Sequence, residues 1–206
     1  MTAAAESASP ALILASGSVT RLALLNAAGV PVRAVAADLD EQEIKSRLRA
    51  ADVDAGDVAQ ALAEAKALAV ARQWPDALVI GADQMLDCDG RWYDKPGDVA
   101  TARQQLLSLC GKSHRLPTAV VAVQGTRVLW RHLSQAIMTM RSFQQTFLDD
   151  YLEKIGSSVL SSVGAYQLEG LGVQLFERID GDHFTILGLP LLPLLDFLRR
   201  HGVIKT

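Results

Sequence analysis

The chain has 206 residues, enough for one domain with a sizeable core and no need of disulfide staples. Its formal net charge of −3 argues against wholesale nucleic-acid binding, which favours a strongly basic face, yet leaves room for a small polyanion met by a few local cations. No apolar run is long enough to span a bilayer, residues 1–10 (MTAAAESASP) lack a signal pattern, and Cys88 and Cys110 form no CxxC, so a cytoplasmic protein without membrane attachment is expected.

Residues 1–10 read as a flexible tail and 11–206 as a single domain. Residues 11–15 (ALILA) form a strand too apolar to have a wet face, so it is expected to be covered on both sides. A helix follows from Thr20 to about Ala28, with Gly29 as its stop. Residues 32–38 (VRAVAAD) read as a second strand that runs into the acidic DLDEQE. Asp57 to about Gln73 is alanine-rich and helical, with Pro75 beyond its end. Residues 77–83 (ALVIGAD) repeat the first pattern: an apolar strand ending in glycine and a polar residue. CDGRWYDKPGD is a loop with an Asp89-Gly90 hairpin turn, and 98–111 is a helix capped by Asp98 and closed by Gly111.

After Pro117 the texture changes to strands around a Gln124-Gly125 turn, then a helix over 144–156. The glycine-spaced stretch 162–183 reads as strand, and LPLLPLLDFLRRHG as a terminal helix with Pro190 in its first turn. Alternation of strands and helices followed by antiparallel strands predicts an α/β protein with a mixed, twisted sheet and flanking helices.

Three strand ends carry candidate chemistry. Ser16-Gly17-Ser18 ahead of a helix is a phosphate cradle in outline: glycine turns the chain, hydroxyls donate, and Arg21 adds a fork suited to phosphate oxygens. An ordinary strand-to-helix turn would look the same. Asp83-Gln84 puts a carboxylate at the tip of a buried strand, where it needs a cation, a metal or water. Lys95-Pro96 aims an ammonium from a loop. Asp38, Asp40 and Glu41 form an acidic exit suited to a hard cation or to a solvated turn. Lys66 borders the apolar face of its helix and by itself reads as a snorkelling lysine. Together these residues suit water attack on a phosphoanhydride with a metal to neutralise charge. None of His114, His132, His183 and His201 sits in a motif that would mark it as a triad base.

The motifs LILASGSVTR, DLDE, EAKALA, LVIGADQ, DKPGD, LSLCGKSH, GAYQLEGLG, LFERIDGD and LGLP run in the order seen in the Maf family, over about residues 11–200. This resemblance implies a nucleotide pyrophosphatase with the fold of the inosine-triphosphatase superfamily, two lobes around a cleft. The implied reaction converts a nucleoside triphosphate to the monophosphate and pyrophosphate with a divalent cation, Mg2+ or Mn2+ or else Co2+. By the same resemblance Asp83 is the catalytic acid/base residue, and Ser16, Ser18, Arg21, Lys66 and Lys95 bind the substrate's phosphates. Glu41, with Asp83, is implied at the metal, and homodimers are common in the family. Where the family has S-x-S-P-R-R or S-x-S-P-W-R, this chain has Ser18-Val19-Thr20-Arg21, so Thr20 replaces a bulky residue linked to substrate choice. Gln84 and Glu169 resemble the branch that acts on 7-methyl-GTP rather than the one that prefers dTTP or UTP. A carboxylate suits the two donors of a guanine edge and gains further from the cationic methylated base. A house-cleaning role follows, set against a regulatory binding role in septum formation or a phosphatase that releases orthophosphate.

Overall fold

The computed structural model describes residues 11–205; the expected tail at 1–10 lies outside the described residues. The first lobe is built on β1 (Leu12–Ala15), β2 (Arg33–Ala34) and β3 (Leu78–Gln84), with β1 parallel to both neighbours. Strand β3 then pairs antiparallel with β6 (Ser113–Gln124), which also pairs with β4 (Leu86–Cys88) and β7 (Arg127–Met140). Strands β5 (Arg91–Tyr93) and β8 (Phe176–Asp180) complete one mixed sheet of 8 strands, the arrangement the alternation predicts.

Both faces of β1 and β3 are covered, because successive side chains of a strand point to opposite sides. Ile13 and Val79 pack under α3 (Ala55–Ala71), whereas Leu12, Leu14, Leu78 and Ile80 pack against α1 (Val19–Ala27) and α7 (Leu191–Arg200). A third core joins β4, the start of β6 and the end of β7 to α4 (Val99–Leu109) and α5 (Gln145–Ile155). The long β6–β7 hairpin therefore runs through both lobes.

Gly81 sets the closest approach in the first lobe. A Cβ placed there would lie 2.0 Å from the Ala63 carbonyl oxygen and 3.0 Å from the Ala67 Cβ, so only glycine lets α3 lie this tightly on β3.

Several expected elements change. The strand predicted over 32–38 shrinks to Arg33–Ala34, and the acidic stretch after it opens a helix, α2 (Glu41–Ala50), that periodicity did not reveal. No residue of α2 is fully buried, and only Ile44 and Leu48, one turn apart, pack against the core under α3; Asp40 caps it, Glu41 and Glu43 sit in its first turn, and Arg47 and Arg49 in its last. Strand β6 begins four residues before Pro117, and the 88–98 loop contains β5. The Asp89-Gly90 turn stands, with φ of 54° and 79°. The stretch read as strand over 162–183 is mostly 3-10 turns up to Leu175, with only β8 extended, followed by the short helix α6 (His183–Ile186). Gly164 and Ala165 have φ of 77° and 60°, which no strand accommodates.

Candidate functional site

Helix α3 buries Leu62, Ala63, Lys66, Ala67 and Val70 along one stripe, so Lys66 lies within the apolar face rather than at its border. It does not snorkel: it is 8% exposed, and its Nζ stands 2.6 Å from Asp83 Oδ1 and 2.9 Å from Glu41 Oε1. Asp83, near the end of β3, is 5% exposed, and the ammonium compensates a carboxylate that would otherwise be costly to bury. Glu41, the first residue of α2, reaches the same ammonium from a more exposed position.

Arg21 closes the other side. Its Nε donates to the Gly188 carbonyl at 2.7 Å, and its Nη1 donates to the Ala82 carbonyl at 2.8 Å and to Ser16 Oγ at 3.3 Å. Nη2 has no protein acceptor among the described residues. Burial lowers the Arg21 pKa, while the charges of Asp83 and Glu41 oppose that shift; a guanidinium stays charged regardless. Ser18 caps α1 by accepting from the Arg21 amide at 3.3 Å, and Ser16 Oγ accepts from the Ser18 amide at 3.1 Å. Both hydroxyls accept, so their protons remain free as donors.

Lys95 joins the group from the loop after β5. Partial burial lowers its pKa first, then the like charges of Arg21 and Lys66; Glu41 and Asp83 pull the other way. Sequence reasoning gave no sign of what holds this loop: Lys45 Nζ lies 2.6 Å from Asp94 Oδ1, and Gln105 Nε2 donates to the Asp94 carbonyl at 3.0 Å. Arg21, Lys66, Lys95, Glu41 and Asp83 thus form one electrostatic cluster with more positive than negative charge. Such a set favours an anion and keeps two carboxylates beside it.

The specificity candidates stand apart. Thr20 is half-buried on α1. Gln84 spends its amide nitrogen on Thr118 Oγ1, the Thr185 carbonyl and the Ile186 carbonyl, at 2.9, 2.9 and 3.2 Å. Glu169 is exposed on a turn, and among the described residues no hydrogen bond or ion pair joins it to the cluster. That turn is tight: a Cβ on Gly172 would lie 2.4 Å from the Gln167 carbonyl oxygen. Two hollows of about 320 and 310 Å³ border Arg115 and Asp87 and share no lining residue with the cluster. Arg115 is already bound to Asp87 and to Asp54.

Among the described residues no three His, Cys, Asp or Glu side chains gather as a metal site. Two carboxylates, Asp83 and Glu41, converge on Lys66 Nζ with one oxygen each. That donor set fits Mg2+ or Mn2+ arriving with a phosphate, because such ions take one or two carboxylates and complete their shell with phosphate oxygens and water.

A profile of the family described as "Maf-like protein" matches residues 11–201, and the chain belongs to that family. It is 54% identical over 197 residues to the nucleoside triphosphate pyrophosphatase of Rhodospirillum rubrum, covering 96% of this chain and 98% of that protein. It is 54% identical to a protein of the same name from Paramagnetospirillum magneticum, over 92% of this chain and 98% of that one. It is 53% identical to the 7-methyl-GTP pyrophosphatase of Rhizobium meliloti, over 96% of this chain and 99% of that protein.

Proposed function

We propose that this Maf-family enzyme is a nucleoside triphosphate pyrophosphatase in which Asp83 is the general base and 7-methyl-GTP the preferred substrate. The observation that carries the reading is the buried Lys66–Asp83 pair at 2.6 Å, flanked by Arg21, Lys95 and Glu41. Lys66 holds one oxygen of Asp83 and so orients the other toward a water. The water oxygen forms a bond to the α-phosphorus, the bond from that phosphorus to the bridging oxygen breaks, and pyrophosphate leaves. Asp83 takes the proton of the attacking water. Arg21 Nη2, Lys95 and the free hydroxyl protons of Ser16 and Ser18 bind phosphate oxygens and gain strength as charge builds on them. Glu41 and Asp83 would hold a divalent cation, which when bound would further neutralise the phosphates.

Glu169 receives the donors of the guanine edge, and its carboxylate favours a methylated, cationic base. Support comes from the name of the Rhizobium meliloti relative and from the chemistry of a carboxylate. The enzyme clears non-standard nucleotides in the cytoplasm; among the described residues no helix is long and apolar enough to cross a membrane. The test is kcat/KM for 7-methyl-GTP, GTP, UTP and dTTP in wild type and Glu169→Gln. The expected result is highest activity on 7-methyl-GTP, with that preference cut about tenfold or more by the substitution. A wild-type preference for UTP or dTTP rejects the base assignment and leaves the hydrolytic reading in place.

A further inference from the structure

Arg21 is aimed by a peptide carbonyl from a distant segment. Its Nε donates to Gly188 at 2.7 Å, and Gly188 follows α6, a helix of only 4 residues. So short a helix cannot stand on its own hydrogen bonds. Gly188 has φ of +93°, and a Cβ there would lie 3.4 Å from Arg21 Nε and Nη2, so the backbone takes a left-handed turn to present its carbonyl.

What fixes α6 is a polar network rooted in the sheet, with Thr118 and Thr185 buried at its centre. Thr118, on β6, is 0% exposed, and its Oγ1 donates to the Thr185 carbonyl at 3.1 Å. Gln84, next to Asp83 on β3, donates from Nε2 to that hydroxyl and to the Thr185 and Ile186 carbonyls. From the other side Asp182 Oδ2 accepts from the Thr185 amide at 2.8 Å and from its hydroxyl at 2.9 Å. Gln84 and Thr118 face each other across paired strands, in register. Mutually satisfied networks with a buried centre hold one geometry.

We propose that Gln84 and Thr118 are positioning residues for Arg21. They lock the α6 turn, the turn sets the Gly188 carbonyl, and that carbonyl with Ala82 directs Arg21 Nη2 at the substrate's phosphates. The inference rests on Arg21 binding phosphate, as proposed above. Thr118, fully buried, can act on a substrate only through that turn.

The experiment measures kcat and KM on GTP, 7-methyl-GTP, UTP and dTTP for Thr118→Val, Thr118→Ser, Gln84→Met, Arg21→Lys and the double variant Arg21→Lys/Thr118→Val. Thermal melts confirm that each is folded; should Thr118→Val not fold, Gln84→Met carries the same comparison with Arg21→Lys. Thr118→Val and Gln84→Met are expected to lower kcat about tenfold, in Thr118→Val by one common factor across the four nucleotides, with Thr118→Ser restoring it. The double variant is expected to be no slower than Arg21→Lys alone, because Thr118 acts through Arg21. Multiplying losses, or a shift in base preference in Thr118→Val, overturns the proposal. A slow Arg21→Lys beside a wild-type Thr118→Val and Gln84→Met overturns it alone; a fully active Arg21→Lys removes the phosphate role of Arg21 on which it rests.

Discussion

Replacing Gly81 with alanine tests how packing creates the site. The new Cβ would stand 2.0 Å from the Ala63 carbonyl oxygen, where real contacts essentially never fall below 3.0 Å, so α3 must retreat by about 1 Å. Lys66 rides on α3 and Asp83 on β3, so their 2.6 Å contact stretches to about 3.6 Å, which is no longer a hydrogen bond. Overpacking of this kind costs about 1–3 kcal/mol. In a chain of this size that lowers Tm by about 2–12 °C. A misplacement of about 1 Å at a reacting group lowers kcat on the order of 100-fold. The assay pairs calorimetric melting with pyrophosphate release, using Gly97→Ala as control, since an added Cβ there meets nothing within 4 Å. A Gly81→Ala protein with Tm within about 1 °C of wild type and unchanged kcat refutes the claim that this contact seats Lys66 on Asp83.

Other consequences follow from the second lobe. Arg115→Met strands Asp87, whose side chain is 4% exposed, and should cost up to about 3 kcal/mol in chemical denaturation; adding Asp87→Leu should recover most of the loss. His114 donates or accepts at Tyr166 Oη over 2.7 Å, and burial pushes its pKa down from 6.5 to about 4. Between those values the unfolded chain takes up a proton that the folded chain does not. Stability therefore falls as pH drops from 6.5 to about 4, at up to about 1.4 kcal/mol per pH unit, and levels off below. Urea titrations of wild type and His114→Gln across that window should show the slope flattened in the variant.

Much of the first lobe was legible because its signals are local. Apolar runs ending in Ser16-Gly17-Ser18 and in Gly81-Ala82-Asp83 became β1 and β3, and Asp98 caps α4 as its place before an amphipathic stretch implies. The catalytic candidates were legible as residue types at strand ends, and the structure brings Arg21, Lys66, Lys95, Glu41 and Asp83 together. The misreadings have physical causes. Helix α2 sets only Ile44 and Leu48 against the core, too few apolar residues for periodicity to stand out; Asp40 followed three residues later by Glu43, a near capping box, was the signal to use. The 162–175 stretch turns on positive φ at Gly164 and Ala165, and local composition does not distinguish that from glycine-interrupted strand. Lys66 looked like a surface lysine because its partners, Glu41 and Asp83, come from elements 25 and 17 residues away. Nothing local announces that Gln84, Thr118 and Thr185 meet, since that contact exists only once β3, β6 and α6 are assembled.

The most direct test of the central claim is to identify the product released from nucleoside triphosphates with Mg2+ or Mn2+, by wild type and by Asp83→Asn. Wild type is expected to release pyrophosphate and the monophosphate. A loss of about 100-fold or more is expected in the variant, which keeps the shape of the site but loses the base. Orthophosphate as the product, or an Asp83→Asn enzyme as fast as wild type, would contradict it.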